Sequence, residues 1–237
     1  MNDLSEAKVL DALAASIAHE LTQPLVSVVT NASAGLRWLD RDKPDLAEAL
    51  ESFRDILDAG QRAGEILGAL RALARDRAPD LRPCSITRLI EDALDYTQQR
   101  MVRNQVQLST QYAGRFEVLA DHTQMHLLLI NLIGNAIEAM QSLAPEQRSL
   151  KVETYCVGDR GLVCIEDSGP GVPDEDQDHI FQAFFTTKAT GTGMGLAICA
   201  AVIARHHGAL WVMRGRQGES RFVFMLPPCP AGQGKPG

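Results

Sequence analysis

The sequence predicts a two-part fold, α followed by α/β: an antiparallel helical hairpin, then a helix-and-sheet layer domain. Three observations predict it. Residues 5–75 are rich in Ala, Leu, Glu, Arg and Gln and lack strand-like alternation. Residues 75–83 are charged and carry two prolines, the composition of a linker. Beyond them, β-branched segments with period-two alternation are interleaved with helical ones.

In the first helix Leu10, Leu13, Ile17, Leu21, Leu25 and Val28 recur at helical spacing and form one apolar stripe ending near Leu36–Leu39. Asp40–Pro44 reads as a turn, with Pro44 opening the next helix. That helix carries Leu46, Leu50, Phe53, Leu57, Gly60, Gly64 and Leu67, alternating by four and three like a bundle seam. A lone hairpin buries only part of such stripes, and two copies would complete a four-helix bundle. The sequence therefore predicts a homodimer through residues 5–75.

After the linker, Ser85–Arg103 reads as a helix, Val106–Tyr112 and Phe116–Leu119 as strands, and Asp121–Leu143 as a long helix. Leu150–Val157 and Leu162–Asp167 read as a hairpin around Gly158–Gly161. A glycine-rich stretch runs to Gly195, a helix follows to about His206, and Leu210–Met213 and Arg221–Leu226 close as strands. The predicted organisation is a hairpin over 1–75, a linker over 76–83, a layered domain with a mixed sheet over 84–227, and a disordered Pro/Gly-rich tail over 228–237.

Composition narrows the function. The 237 residues hold 23 Lys plus Arg against 30 Asp plus Glu, a net charge of -7. That disfavours a nucleic-acid protein driven by overall basicity, and aromatics at 5% disfavour base-stacking platforms. Neither a membrane-length apolar run nor a basic-then-apolar leader is seen, so a cytoplasmic chain is expected. Cys84, Cys156, Cys164, Cys199 and Cys229 lack metal-site spacing and suit reduced thiols, although Cys156 and Cys164 flank a turn and could be bridged.

His19 lies about 200° around the helix from Ile17, on the polar side of the stripe. Neutral imidazole is a good nucleophile near pH 7, and Glu20 could orient it; an exposed histidine can equally be an ordinary surface residue. Asn131 and Asn135 share a helix face with Glu138 nearby; amide oxygens suit Mg²⁺, but a pair of surface amides looks the same. Asp167–Ser168–Gly169–Pro170–Gly171 follows a strand and could receive an adenine amino group, or be a plain turn. Phe181 to Lys188 concentrates three phenylalanines beside a cation. Gly191–Thr192–Gly193–Met194–Gly195 opens a helix, an anion-type arrangement that matches neither the P-loop nor the Rossmann pattern.

In this order, the segments resemble the signature boxes of a two-component sensor histidine kinase. His19–Leu25 resembles the phosphoacceptor box of the HELxQPL type, and Asn131–Ala136 the Asn box. Asp167–Gly171 resembles the first glycine box, Phe181–Lys188 the Phe box, and Gly191–Leu196 the second glycine box. The resemblance covers about residues 8–227. It implies a dimeric phosphotransfer hairpin and a gyrase-like ATP-binding α/β sandwich. By it, Asn135 ligates Mg²⁺ and Asp167 reads the adenine, with Gly169 and Gly171 admitting the ring. Gly191, Thr192, Gly193, Met194, Gly195 and Leu196 belong to a lid over the phosphates. Lys188 contacts phosphate, Phe184 and Phe185 anchor the lid, and Ser220 supports the adenine site.

The implied function is ATP-dependent autophosphorylation of His19, then transfer to an aspartate of a response-regulator receiver domain. The alternatives are a non-catalytic phosphotransfer scaffold and a gyrase-like ATPase. Gyrase-like ATPases place a water-activating Glu four residues before the Mg²⁺-binding Asn; Asn131 stands there instead. Thr22 replaces the Asn usual in the nearest group. Gln23 occupies the position from which many relatives orient water, so phosphatase activity towards the regulator is a further expectation. The usual input domain is missing, which predicts either a catalytic core alone or a signal taken from a separate sensor protein.

Overall fold

The computed structural model describes residues 3–74, 79–113, 116–157, 160–183, 185–187, 193–215 and 218–227, without the side chains of 3–20, 61–62 and 65–74. The chain divides into two compact units, Met1–Arg71 and Ala72–Gly237.

The first unit is a hairpin of α1 (Asp3–Leu39) and α2 (Leu46–Ala74). Pro24 lies inside α1 and removes one N–H from its ladder, yet the helix runs through it. The turn holds because the Arg41 guanidinium lies 3.8 Å over the Trp38 ring and Asp45 N–H donates to Trp38 O at 3.0 Å. Asp45 caps α2 by accepting the Glu48 N–H at 3.2 Å. Pro44 therefore precedes the cap rather than opening the helix as expected.

The inner seam is built from small side chains. On α2, Ala49, Ser52, Ala59 and Ala63 are buried; on α1, Pro24 and Gly35 are buried and Leu21, Val28, Asn31 and Trp38 half-buried. Gly35 is needed there: a Cβ would stand 3.3 Å from Ser52 Cβ. The expected seam of Leu46, Leu50, Phe53 and Leu57 runs one residue further round α2 and is exposed. Leu25, Val29, Leu36 and Leu39 run one residue beyond the α1 seam and are exposed too. In an antiparallel pair, a one-residue offset on each helix turns both stripes to the same side. The hairpin by itself thus leaves one large-residue apolar face uncovered.

The second unit begins with β1 (Arg82–Ser85), a strand that straddles the end of the expected linker at 83 and the expected helix start at Ser85. It pairs antiparallel with β3 (Glu117–Ala120). Between them lie α3 (Ile86–Arg103), capped by Ser85, and β2 (Gln107–Tyr112). Then come α4 (His122–Ala139), β4 (Ser149–Val157), β5 (Arg160–Asp167), α5 (Gly195–Arg205), β6 (Ala209–Arg214) and β7 (Ser220–Leu226). The main sheet has the order β2-β4-β5-β7-β6, with β2 parallel to β4 and all other pairs antiparallel. It is the mixed sheet that the sequence predicts. The β4–β5 register pairs Cys156 with Gly161 and Cys164 with Glu153, and both cysteines are free thiols, so the conceivable bridge does not form.

Helix α4 ends at Ala139 and continues only as a 3₁₀ turn to Ser142, short of the expected Leu143. Arg148 explains the stop. Its guanidinium donates to the carbonyls of Leu143, Gln141 and Asn104, drawing off acceptors at the ends of both α4 and α3. Two buried groups set α5 against α4. Cys199 Sγ lies 3.8 Å from Leu128 O, and burial pushes its thiol up to about 12, so it packs as a small apolar group. His206 Nε2 accepts the N–H of Asp121, the α4 cap, at 2.9 Å, while Nδ1 lies 2.7 Å from Val202 O. No helix of the described residues is long and apolar enough to cross a membrane.

Candidate functional site

Helix α4 is apolar nearly all round, with Met125, Leu128, Leu129, Ile130, Leu132, Ile133, Ala136 and Ile137 buried. A helix of that kind belongs to the core. Against that background Asn131, Asn135 and Glu138 form a half-buried polar edge. Asn131 Nδ2 donates to Leu127 O at 3.1 Å, which turns its amide oxygen outward. That oxygen would lie 3.0 Å from a Cβ on Gly195, and Asn135 Nδ2 would lie 3.9 Å from the same atom. The second glycine box and the Asn box therefore meet where α5 begins. Met194 is the N-cap of α5 and is buried, and its own side chain makes no capping hydrogen bond. Gly193 has φ +67, a conformation that favours glycine. Leu196 is half-buried in the first turn of α5.

The other half of the site lies at the C-terminal end of α4. Asp167 ends β5, is 3% exposed, and accepts the Gly169 N–H at 2.8 Å. Gly169 fits between two neighbours: a Cβ there would stand 2.6 Å from Asp167 Oδ1 and 3.0 Å from Ala139 Cβ. Gly171 has φ +78, and a Cβ on it would stand 1.9 Å from Gly218 O in the β6–β7 turn. Ser220 is buried and pairs in register with Asp167 across β5 and β7. Asp167, Gly169, Gly171 and Ser220 thus lie together at the ends of β5 and β7.

Some contributors were not singled out from the sequence. Ser168 Oγ accepts the Ser149 N–H at 2.9 Å and donates to Gln147 O at 2.6 Å, pinning the Asp167 loop to the entry of β4. Its place inside the motif was the available signal. Gly218 comes from a distant turn and had no local signal.

Other candidates are only partly placed. Phe185 packs at 6.0 Å on His179, and Phe181 meets Phe222 edge-on at 6.5 Å. Phe184, Lys188, Gly191 and Thr192 lie outside the described residues, as does the tail 228–237. His19 and Glu20 are within α1, but their side chains lie outside the description. Gln23 is exposed on α1.

The cluster holds two amides on α4 and a buried carboxylate at the end of β5. Among the described residues no group of three His, Cys, Asp or Glu could hold a metal ion. A site offering an amide oxygen instead suits Mg²⁺, which keeps waters and takes phosphate oxygens. It does not suit a metal that needs a full protein cage.

Comparisons with known proteins agree with this geometry. Residues 9–79 match the His Kinase A (phospho-acceptor) domain, and residues 120–230 match the Histidine kinase-, DNA gyrase B-, and HSP90-like ATPase family. ATP binding goes with the second of these. The chain is 33% identical to the sensor histidine kinase TmoS of Ectopseudomonas mendocina, over 94% of its own length and 23% of that protein. It is 33% identical to the sensor protein FixL of Bradyrhizobium diazoefficiens, over 94% of this chain and 45% of that one. It spans between about a quarter and about half of these curated relatives. Among solved structures, the catalytic domain of the histidine kinase ThkA superposes with a TM-score of 0.57 at 30% identity, covering 62% of this chain and 95% of that domain. Phosphoacceptor-type hairpin, ATPase-type domain and site geometry converge: this chain belongs to the histidine kinase family.

Proposed function

We propose that this chain uses ATP to phosphorylate His19 and then passes the phosphoryl group to an aspartate of a response-regulator receiver domain. The observation that carries the reading is a pair of neighbouring clusters along the C-terminal half of α4: Asn131 and Asn135 beside Gly195, and Asp167 with Gly169 against Ala139. That arrangement supports one elongated ligand, its flat head at Asp167 and its anionic tail at the start of α5. Asp167 receives the adenine amino group, with Ser220 beside it, and Gly169 and Gly171 keep side chains out of the ring's path. The N-terminus of α5 and the glycines 191, 193 and 195 receive the phosphates, with Lys188 as a cationic contact and Phe184 and Phe185 anchoring the lid.

Asn135 is the residue that would hold Mg²⁺; the ion neutralises charge developing on the phosphates. An imidazole nitrogen of His19 forms a bond to the γ-phosphorus as the bond to the ADP oxygen breaks, and ADP leaves. Glu20 holds the imidazole tautomer through its other nitrogen. The aspartate carboxylate of the partner then takes the phosphoryl group and His19 is regenerated. Asn131, whose amide is engaged with Leu127, supplies no base to activate water, so transfer to His19 is favoured over hydrolysis. Gln23 is the candidate for orienting water in a phosphatase reaction on the regulator.

The acting form is a homodimer through residues 5–75, closed over the exposed leucine face of the hairpin. The likeness to ThkA, a histidine kinase also solved with a response regulator protein, supports the choice of partner class. The use of ATP and of a receiver-domain partner supports a cytoplasmic location for this chemistry.

The test is incubation with γ-labelled ATP and Mg²⁺, wild type beside His19→Gln. Acid-labile, base-stable label in the wild type and none in the variant is expected. Equal labelling of both overturns the assignment.

A further inference from the structure

Arg100, on α3, reaches α4 at Gly134. Its Nη2 donates to Glu138 Oε1 at 2.6 Å, and a Cβ on Gly134 would stand 2.9 Å from its Nη1. The missing side chain of Gly134 is the gap that admits the guanidinium. Both partners are mostly out of water, with side chains 23% and 28% exposed.

The position of Glu138 is fixed by its neighbours on α4. Asn135, one turn earlier, faces Gly195; Ala139, the next residue, meets Gly169 beneath the Asp167 loop. Glu138 therefore lies on the length of α4 that the nucleotide cluster spans. Asn131, Asn135 and Glu138 fall within about 60° of one another around the helix. Without the Arg100 charge, the Glu138 carboxylate would be less neutralised and would repel a triphosphate more, and repulsion is stronger in a partly dry site than in water.

We propose that Arg100 is a positioning and charge-balancing residue of the nucleotide site: through the Gly134 gap it neutralises Glu138 and fixes its direction, so that this edge of α4 admits a triphosphate. The inference rests on the nucleotide reading above. It assigns a role to an ion pair of which the helix pattern marks Glu138 but not Arg100. No bond or proton changes hands; the effect is electrostatic and geometric.

The test is ATP binding by the full chain with Mg²⁺, read by competition against a fluorescent ATP analogue, with adenosine as the uncharged comparison. Arg100→Ala should weaken ATP binding about tenfold and leave adenosine unchanged. Gly134→Ala, which crowds the guanidinium without removing a charge, should weaken ATP in the same direction but less, because the flexible Arg100 side chain can shift. Adding Glu138→Gln to Arg100→Ala should recover most of the loss, because the repelling charge is gone. Labelling at saturating ATP should be preserved, a split that general damage to the fold would not give. Unchanged ATP affinity in Arg100→Ala overturns the inference. So does equal loss of ATP and adenosine, or a double variant no better than the single. Failure of the wild type to bind ATP sinks the nucleotide reading as well; normal wild-type binding with an indifferent Arg100 sinks this inference alone.

Discussion

Two glycines of the Asp167 loop show how much of this site is exclusion of side chains. Gly169 leaves room for the Asp167 carboxylate to fold back onto its own loop, and Gly171 lets the loop touch the backbone at Gly218. A methyl group at Gly171 meets two penalties, a left-handed φ of +78 and a backbone oxygen at 1.9 Å. Gly171→Ala should therefore destabilise the second unit by about 2–4 kcal/mol, from the left-handed cost plus overpacking. Calorimetry on the variant checks it, and an unshifted transition would mean that the β6–β7 turn yields freely. The family resemblance implies that Gly171 admits a ring. Its contact with Gly218 was not legible, because the two are far apart in sequence and meet only when β7 lies beside β5.

At the scale of elements, the site depends on the distance between α4 and α5, and His206 holds one end of it. The bonds to Val202 O and from the Asp121 N–H are compatible with the neutral ring only, Nδ1 donating and Nε2 accepting. Burial, the largest influence, lowers its pKa below the ordinary 6.5. The sign follows from linkage. Below 6.5 the unfolded chain takes up a proton that the folded ring resists, so stability is full above 6.5 and is lost as pH falls towards the folded value. His126 shifts the same way, chiefly through burial and then the charge of His122. Denaturant unfolding above and below pH 6.5 should show this loss. His206→Gln, which keeps an acceptor but does not titrate, should flatten part of the slope and leave the share due to His126. An unchanged slope would remove His206 from the account. The helices themselves were readable from apolar spacing, as α3 shows with Ile86, Leu89, Ile90, Ala93, Leu94, Thr97 and Met101 buried. Strand β1 was not, because Pro83 and flanking charges look like linker and its pairing with β3 is non-local.

At the scale of the molecule, the hairpin carries two seams one residue apart. The small seam of Ala49, Ser52, Ala59 and Ala63 lets α1 and α2 approach closely; the large seam of Leu46, Leu50, Phe53 and Leu57 remains uncovered. Exposed leucines in a heptad pattern, backed by matching ones on α1, are the surface a second copy would cover. Leu50→Asp combined with Phe53→Asp should convert the protein to a monomer by light scattering and leave ATP binding by the second unit intact. A dimer that persists would show that another surface holds it together.

By itself the sequence determined the element types apart from β1, the mixed sheet and the order of the boxes, because helical spacing, strand alternation and glycine placement are local properties of the chain. It also singled out the leucine stripe of α2. Only the tertiary structure decided that this stripe lies outside the hairpin and that the alanines beside it lie inside, since both have the same period and differ by one residue of phase. Tertiary packing likewise decided that Asn131 turns its amide towards Gly195, that Ser220 stands beside Asp167, and that Arg100 reaches Glu138 through Gly134. These contacts join residues distant in the chain, and their distances exist only once the helices lie against one another and the strands have paired.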